Sequence, residues 1–363
     1  MTRKVKLVVS DFHLGKGAFL RDGSANIHEE FFADRQWDEF LKFYSEAEYR
    51  DAEVELVLNG DIFDLIRVDY RGYFSPILTE GISVEKLQSV LDGHPVFVEA
   101  LRRFAASPNH KITYVVGNHD VEMIWGRCQE LLCRVIGADI QFFNFSYIDD
   151  GVHIEHGQQF ENLNRLNPKQ MFITKNLKEP IINLPWGSHF VINFVTPIKL
   201  QRMAVDRVRP VQAFIRWSLL HDTSWCLKNL LKVLLYFFGT RFSKSIYRTS
   251  NLVTTLKMMG ELFNAPKLED AAKSILTKNR EVHTVVMGHT HVYESRQYHE
   301  AKKYFNTGTW TEVTSLELSS LGRHTKFNYA AIELKKGEDE SIVRTRALLR
   351  EWKGRWHEDV AFH

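Results

Sequence analysis

Five short apolar runs, each followed at once by glycine, asparagine, aspartate or histidine, constrain the fold of this 363-residue chain more than any other feature. They cover residues 5–10, 54–58, 112–116, 152–155 and 282–287, and the letters that follow them are DFH, NGD, GNHD, HG and GHTH. Short apolar runs bounded in this way predict buried strands. Because open α/β sheets bind ligands beyond the carboxyl ends of their strands, these polar side chains indicate a functional site.

The segments between these runs predict helices, so the chain has the alternation of a layered α/β fold. Apolar residues at three- and four-residue spacing predict helices over 34–49, 95–106 and 121–136. After residue 300 the pattern changes, and 304–307, 328–334 and 342–348 predict strands of a second, mixed or antiparallel sheet stacked on the first. Residues 160–275 are rich in Leu, Phe and Trp and predict an inserted, mainly helical subdomain. The core is then expected over 1–159 and 276–363.

Composition narrows the class of protein. A 44% hydrophobic and 25% charged chain excludes a disordered or low-complexity protein. Its three cysteines, Cys128, Cys133 and Cys226, form no CxxC pair and suit a reducing compartment. The first residues lack the long apolar stretch of a signal peptide, so a cytoplasmic location is expected.

The polar residues behind the strands are the types that bind metal ions. Carboxylate oxygen, amide oxygen and imidazole nitrogen suit divalent Mn, Fe, Zn or Ni. A single histidine of this kind would be read as a surface or core residue, but seven ligand-type residues at five strand ends are not needed for packing. Seven ligands also exceed the needs of one ion, so two ions that share a bridging carboxylate are expected.

The series Asp11-x-His13, Gly60-Asp61-x-x-Asp64, Gly117-Asn118-His119-Asp120, His156-Gly157 and Gly288-His289-Thr290-His291 resembles the calcineurin-like metallophosphoesterase superfamily. All five blocks stand in the superfamily's order, and the resemblance covers about 5–158 and 280–335. It implies a four-layer α-β-β-α metallophosphoesterase sandwich, here with an inserted mainly helical lid subdomain. It also implies a metal-dependent phosphoesterase with two divalent ions, Mn being expected and Fe, Zn or Ni possible by the same ligand chemistry.

The same resemblance implies a role for each motif residue. Asp11, His13, Asp61 and His291 would hold the first metal, and Asp61, Asn118, His156 and His289 the second. His119 would stabilise or protonate the leaving oxygen, Asp120 would orient His119, and Asp64 would hydrogen-bond a ligand from the second shell. A hydroxide bridging the two metals would attack phosphorus in line, without a covalent enzyme intermediate.

The inserted segment is basic as well as apolar. Leu227, Leu230, Leu231, Leu234, Leu235 and Phe238 form one helical stripe, which Val233 and Phe237 widen. Residues 199–248 hold ten Lys and Arg but two acids, a net +8 that leaves −6 for the rest of a chain whose total is +2. Two interpretations remain open: a lid that packs inward, or a surface that meets anionic lipid at the inner face of the membrane. The sequence indicates no obligatory protein partner.

A lid between the His156 and Gly-His-Thr-His motifs, with the opening Ser10-Asp-x-His-Leu14, is similar to the UDP-2,3-diacylglucosamine pyrophosphohydrolase group. This chain departs from that group in carrying His119 where the bacterial lipid A enzymes usually carry Arg, and in a longer insertion. The resemblance implies hydrolysis of a phosphoester or diphosphate bond in a lipid-linked or nucleotide-linked, UDP-diacylglucosamine-like substrate. Asn164, Arg165 and Arg21 are candidate substrate contacts.

Two alternatives remain. The Gly60 and Gly117 motifs also resemble calcineurin-like exonucleases, for which the basic segment would bind a phosphate backbone with a steep salt dependence. The high Leu and Phe content of that segment argues against such a DNA-processing phosphodiesterase. A non-catalytic scaffold that has lost its metals should also have lost ligands, whereas every ligand position here is filled.

Overall fold

Sixteen strands form two large sheets and two small ones among the residues that the structure describes. The computed structural model describes residues 3–202, 205, 207–242, 252–263, 267–298, 302–316, 321–336 and 342–354. In chain order the strands are β1 (Arg3–Val9), β2 (Glu53–Asn59), β3 (His110–Val115), β4 (Ile140–Phe143), β5 (Ser146–Asp149), β6 (Val152–Glu155), β7 (Phe172–Ile173), β8 (Ile181–Ile182), β9 (Val208–Arg209), β10 (Thr284–Met287), β11 (Tyr293–Tyr298), β12 (Lys302–Thr307), β13 (Val313–Ser315), β14 (Gly322–His324), β15 (Phe327–Lys336) and β16 (Ile342–Trp352).

Ten α-helices are found in the same part of the chain. They are α1 (Asp34–Phe43), α2 (Glu80–Gly93), α3 (Pro95–Ala105), α4 (Gly126–Ile136), α5 (Trp186–Phe190), α6 (Thr196–Lys199), α7 (Val211–His221), α8 (Thr223–Phe242), α9 (Leu252–Phe263) and α10 (Leu268–Lys278). A π-helical turn, Val191–Val195, joins α5 to α6, and short 3₁₀ turns occur at Ala47–Tyr49, Leu65–Arg67, Val121–Ile124 and Gln158–Phe160.

The first sheet has the order β16-β15-β1-β2-β3-β4. Strands β1 to β4 run parallel, which brings their carboxyl ends to one edge, while β15 and β16 add as antiparallel strands beside β1. Helices α1 to α4 cover one face with buried side chains such as Trp37, Phe97 and Leu132. The largest hydrophobic cluster among the described residues therefore lies between this sheet and its helices.

The second sheet has the order β11-β12-β10-β6-β5, with β6, β10 and β12 parallel. Its inner face packs on the free face of the first sheet through a cluster that includes Val8, Val57, Ile154, Val286 and Phe305. Helix α10 covers its outer face. The layers are thus helix, sheet, sheet and helix, which confirms the predicted α/β sandwich and places the ends of β1, β2, β3, β6 and β10 on one side of the molecule.

The predicted second sheet needs one correction. Of the three strands predicted after residue 300, only β12 belongs to it, whereas β15 and β16 extend the first sheet beside β1. The reason is that an alternating apolar pattern predicts a strand but not its neighbour. Likewise α2 was not predicted, because its buried positions include Ser83 and Lys86 and so weaken the apolar period.

The predicted insertion contains helices α5 to α9 and the small strands β7 to β9. Strand β9 pairs with β13, which ties the segment to the carboxyl-terminal part of the chain. The expected boundary at residue 275 falls inside α10, a helix that packs on the second sheet. Within the basic segment, Asp206, Lys244 and Arg248 lie outside the described residues. None of the described helices combines the length and the hydropathy needed to cross a membrane.

Candidate active site

The loops behind five strands are joined by backbone hydrogen bonds into one surface. The amide of Asp11 donates to the carbonyl of Gly60 at 3.1 Å, and that of His13 donates to Asp61 at 3.0 Å. On the second sheet the amide of Gly288 donates to His156 at 2.9 Å. The side chains of the five motifs are far apart in the sequence, and these contacts bring them together where the two sheets meet.

Five of the candidate metal ligands have a left-handed backbone. The φ angles are +56° at Asp11, +53° at His13, +52° at Asp61, +72° at His289 and +59° at His291. Aspartate and histidine tolerate this conformation better than most residues, but it still costs on the order of 1 kcal/mol or more at each position. Such strain clusters at functional sites, because the surrounding structure must impose it.

The candidate ligands fall into two groups, and each group holds three of the four residues of one predicted metal set. Donor atoms of Asp11, His13 and His291 lie within 4.8 Å of one another, and so do those of Asp61, His156 and His289. A further grouping of His13, Asp61 and His119 joins them. All the side chains are buried or partly buried, so a cation held there would be sheltered from water.

Three contacts test whether these residues fit metal ions. The Nε2 atoms of His13 and His291 face each other at 3.0 Å, a distance that suits two ligands of one cation. His156 donates from Nδ1 to the carbonyl of Asn59 at 2.8 Å, which leaves Nε2 as the ligand nitrogen, 3.1 Å from Asp61. The Oδ1 of Asn118 is buried and has no hydrogen-bond partner among the described residues. The residues present therefore fit a dinuclear centre.

Glycine makes room for the carboxylates. A Cβ atom at Gly117 would lie 2.2 Å from Oδ1 of Asp61, and one at Gly288 would lie 2.4 Å from Oδ2 of Asp11. No side chain fits at these distances, so the GNHD and GHTH motifs need glycine for close approach.

The protonation states of the candidate ligands favour the binding of a cation. Burial and His119 lower the pKa of His13 to about 4, and burial and His13 lower that of His291, so both imidazoles are neutral donors. Although burial opposes both effects, His156 and His119 hold the pKa of Asp61 well below its ordinary value, and Asp61 and Asp11 raise that of His156 to about 10. A divalent ion would replace the proton that His156 carries here.

The carboxylate that positions His119 is Asp64, not Asp120. The Nδ1 of His119 lies 2.7 Å from Oδ1 of Asp64, and the amide of His119 donates to Asp61 at 2.7 Å. Asp120 instead accepts hydrogen bonds from the amides of Ile62 and Gly117 and from the hydroxyl of Tyr114. The predicted pairing of Asp120 with His119 is thus replaced by a structural role, in which a buried carboxylate satisfies the backbone of two motif loops.

Glu161 is a residue of the site that the motif pattern does not indicate. Its buried Oε2 lies 2.8 Å from Nε2 of His289 and accepts a hydrogen bond from Asn164 at 2.6 Å. The only available signal is its proximity in sequence to His156. Asn164 is therefore joined to the site through Glu161, one layer behind the ligands.

The other two candidate substrate contacts lie farther out. Arg165 is exposed. Arg21 lies in the wall of a separate cleft of about 610 Å³, which is lined by charged and polar residues and contains none of the candidate ligands. Their role in substrate binding stays a prediction.

Comparison with known proteins identifies a family whose sequence model matches this chain. The sequence model of the calcineurin-like phosphoesterases matches residues 6–210. No curated protein matches significantly.

Several solved structures align with this chain, all at low identity. They include the calcineurin-like phosphoesterase YfkN of Bacillus subtilis, with 12% identity, 96% of this chain and 91% of that chain covered, and a TM-score of 0.37. A dimetal phosphatase of Danio rerio has 10% identity, coverage of 96% and 98%, and a TM-score of 0.36. A Staphylococcus aureus protein described as a 5′-nucleotidase has 10% identity and a TM-score of 0.37, and the alignment covers 97% of this chain but 54% of that one. With such scores these similarities say nothing about the substrate, and the family match stands on its own.

Proposed function

Since the chain belongs to the calcineurin-like phosphoesterase family and is a metal-dependent hydrolase of phosphoesters, we propose that its substrate is a lipid-linked phosphodiester or diphosphate. The observation that carries this proposal is an apolar cavity of about 300 Å³ within the insertion. Its walls include Phe190, Phe194, Ile198, Phe214, Ile215, Trp225 and Leu230. A cavity of this size and lining suits an acyl chain and not a nucleotide base alone.

Arg209 connects the cavity with the candidate metal centre. It lies in the cavity wall. Burial, His13 and Arg209 together lower the pKa of His291, so the guanidinium acts electrostatically on the site itself. A substrate with an apolar tail in the cavity would then present its phosphate to Arg209 and to the metal ligands. This arrangement supports an amphiphilic substrate such as UDP-diacylglucosamine.

We assign the catalytic roles as follows. Asp11, His13, Asp61 and His291 would hold one ion, and Asp61, Asn118, His156 and His289 would hold the other. Two divalent ions bound there supply Lewis-acid stabilisation of the phosphoryl group and acidify water. His119 bonds to Asp64 through Nδ1, so Nε2 is the nitrogen that donates to the leaving oxygen. Asp64 keeps this imidazole in the tautomer and orientation that the transfer needs.

The first test concerns the metal. After treatment with a chelator, the protein should not hydrolyse bis-p-nitrophenyl phosphate, and Mn²⁺ should restore hydrolysis. Asp61→Asn should bind less Mn²⁺ and stay inactive, because Asp61 is grouped with His156 and His289 and also with His13 of the other metal set. Hydrolysis that is unaffected by the chelator would contradict the metal assignment.

The second test concerns the substrate. Ser218 is buried in the cavity wall, so Ser218→Phe should fill the cavity. We expect the KM for a UDP-diacylglucosamine-type diphosphate to rise by about tenfold, while turnover of bis-p-nitrophenyl phosphate stays unchanged. Ser224→Phe, at an exposed position of α8, is the matched control. Preferred hydrolysis of single-stranded DNA, insensitive to Ser218→Phe, would favour the nuclease alternative instead.

A further inference from the structure

The insertion exposes an unusual amount of apolar surface. Half of the large exposed apolar side chains in the described part of the chain lie between residues 200 and 256. Helix α8 alone contributes Leu227, Leu231, Leu234, Leu235 and Phe238, between 41% and 62% exposed, which we call the α8 face. Scattered exposed leucines are ordinary on a protein surface, but a continuous helical stripe marks an interaction site.

Helix α8 is apolar on two sides. Its inner side carries buried Cys226 and Phe237, together with Leu230 and Val233, which line the apolar cavity or its surroundings. The α8 face lies on the other side, at the i, i+4, i+7, i+8 and i+11 positions from Leu227. A helix with apolar residues on two sides is normally covered on both. Only the inner side is covered by the described residues.

Basic side chains border this apolar stripe. Lys228 and Lys232 are exposed on α8 and lie one helical turn from Leu231 and Leu235. The neighbouring helices repeat the arrangement, with Arg216 close to exposed Leu220 on α7. On α9, Lys257 follows exposed Leu256.

Acidic residues are scarce on the same helices. Asp222, between α7 and α8, is paired with Arg202. Glu261 of α9 accepts hydrogen bonds from Asn162 and from the amide of Leu163. Among the described residues of α7, α8 and α9, the exposed charged side chains are therefore basic.

We propose that the α8 face docks on an anionic lipid bilayer, with its leucines in the acyl region and Lys228 and Lys232 at the headgroups. Apolar residues flanked by lysine are the pattern of helices that lie in the membrane interface. Each basic residue near an anionic surface raises the membrane affinity about fivefold. A second copy of the chain fits less well, because a two-fold interface would place the lysine rows of both copies close together.

Docking through the α8 face requires neither a particular substrate nor turnover. The α8 face lies on the outside of the helix whose inner side borders the apolar cavity. Docking would bring that cavity close to the lipid phase, where an acyl chain need not cross water to enter it.

Vesicle flotation of the full-length, metal-loaded protein tests the proposal. We expect binding at low salt to vesicles of phosphatidylcholine with phosphatidylglycerol, and much weaker binding to phosphatidylcholine alone. The double variant Leu231→Gln/Leu235→Gln should lose at least about tenfold in partition coefficient, since less apolar area enters the bilayer. Lys228→Gln/Lys232→Gln should lose about 25-fold in partition coefficient with anionic vesicles. Both variants should hydrolyse bis-p-nitrophenyl phosphate as the parent does.

Matched control variants distinguish binding through the α8 face from nonspecific binding to vesicles. Ile77→Gln/Ile148→Gln removes two exposed apolar residues elsewhere, and Lys273→Gln/Lys278→Gln removes two exposed lysines of α10. Both should bind vesicles as the parent does. Equal binding to neutral and anionic vesicles, or equal losses in the control variants, would overturn the proposal. A dimer in sedimentation that Leu231→Gln/Leu235→Gln converts to monomer, without vesicle binding, would overturn it in favour of a second copy.

Discussion

At the residue scale, the candidate metal centre contains strained backbone conformations and unpaired donor atoms that a bound metal ion would stabilise. Five candidate ligands have positive φ angles. The Nε2 atoms of His13 and His291 lie 3.0 Å apart, and Oδ1 of Asn118 is buried without a hydrogen-bond partner among the described residues. The positive φ angles and the unpaired Oδ1 cost free energy in the metal-free protein. Coordination of divalent ions would offset these costs, so metal binding should stabilise the fold as well as enable hydrolysis.

The contact between Asp64 and His119 leads to the first prediction. Asp64→Asn removes the charge that, against the effect of burial, raises the pKa of His119. If His119 acts as the acid, its proton is then lost at lower pH, and the alkaline limb of the pH–rate profile should move to lower pH. Turnover should fall by about 10- to 100-fold with bound metal unchanged. Steady-state kinetics across pH and metal analysis measure both effects.

Asp120→Asn is the matched control for that experiment. Asp120 bonds to Tyr114 and to two motif-loop amides, so this variant should lower thermal stability and leave the alkaline limb in place. A shift of that limb in Asp120→Asn, with none in Asp64→Asn, would restore the pairing expected from the sequence.

At the element scale, the strands of the two sheets are held together partly by buried charge. Lys6 on β1 is fully buried and lies 2.6 Å from Glu55 of β2, and it also pairs with Asp149 of β5 in the second sheet. The sequence indicated β1 and β2 as strands because their apolar runs are strong. It could not indicate that a lysine inside the first run would join two sheets.

Removing that lysine should destabilise the sandwich. Lys6→Met leaves the buried Glu55 carboxylate with less compensation, and we expect a loss of about 3 kcal/mol in the free energy of unfolding. Denaturant unfolding measures it. Lys353→Met, at an exposed ion pair with Glu351, should cost less than about 0.5 kcal/mol. Equal losses in the two variants would mean that Lys6 contributes no more than a surface charge.

A second prediction at this scale concerns the junction of α2 and α3. His94 is buried between Glu29 and Asp34. Burial opposes its protonation, but the hydrogen bonds to Asp34 and Glu29 raise its pKa to about 9. A raised pKa contributes stability that is complete below the ordinary value near 6.5 and is lost as pH rises through about 9.

His94→Gln should therefore be destabilised by on the order of 3 kcal/mol at about pH 6 and by much less at about pH 10. Urea unfolding of the parent and the variant at both pH values measures the difference. A constant difference across this range would show that packing, and not the charge of His94, accounts for the loss.

At the scale of the whole molecule, a chain of buried ion pairs connects the insertion with the catalytic loop. Lys199, at the end of α6, is fully buried against Glu30, which also pairs with Arg67 at 3.0 Å. Arg67 pairs in turn with Asp64 at 2.9 Å, and Asp64 contacts His119. The seating of the insertion is thus coupled through side chains to the residue proposed to protonate the leaving group.

Removing the ion pair of Lys199 with Glu30 should weaken the packing of the insertion on the core. Lys199→Met leaves Glu30 with Arg67 and Arg207, so we expect a loss of about 2 kcal/mol and faster proteolytic cleavage within 160–267. Thermal unfolding and limited proteolysis measure these effects. Lys228→Met, exposed on the same insertion, should change neither; cleavage as fast in that variant would mean that Lys199 does not anchor the segment.

The sequence by itself determined the five strands that carry the motifs, the order of the motifs and the choice of candidate ligands, because short apolar runs and ligand chemistry are local properties. It also indicated an apolar, basic insertion, since a stripe of leucines is visible in the helical period. Only the tertiary structure decided that β15 and β16 join the first sheet, that Asp64 and not Asp120 contacts His119, and that Glu161 lies against His289. It also divided one leucine stripe of α8 into a covered and an exposed side. These outcomes depend on which elements pack together, and that follows from contacts between residues far apart in the chain.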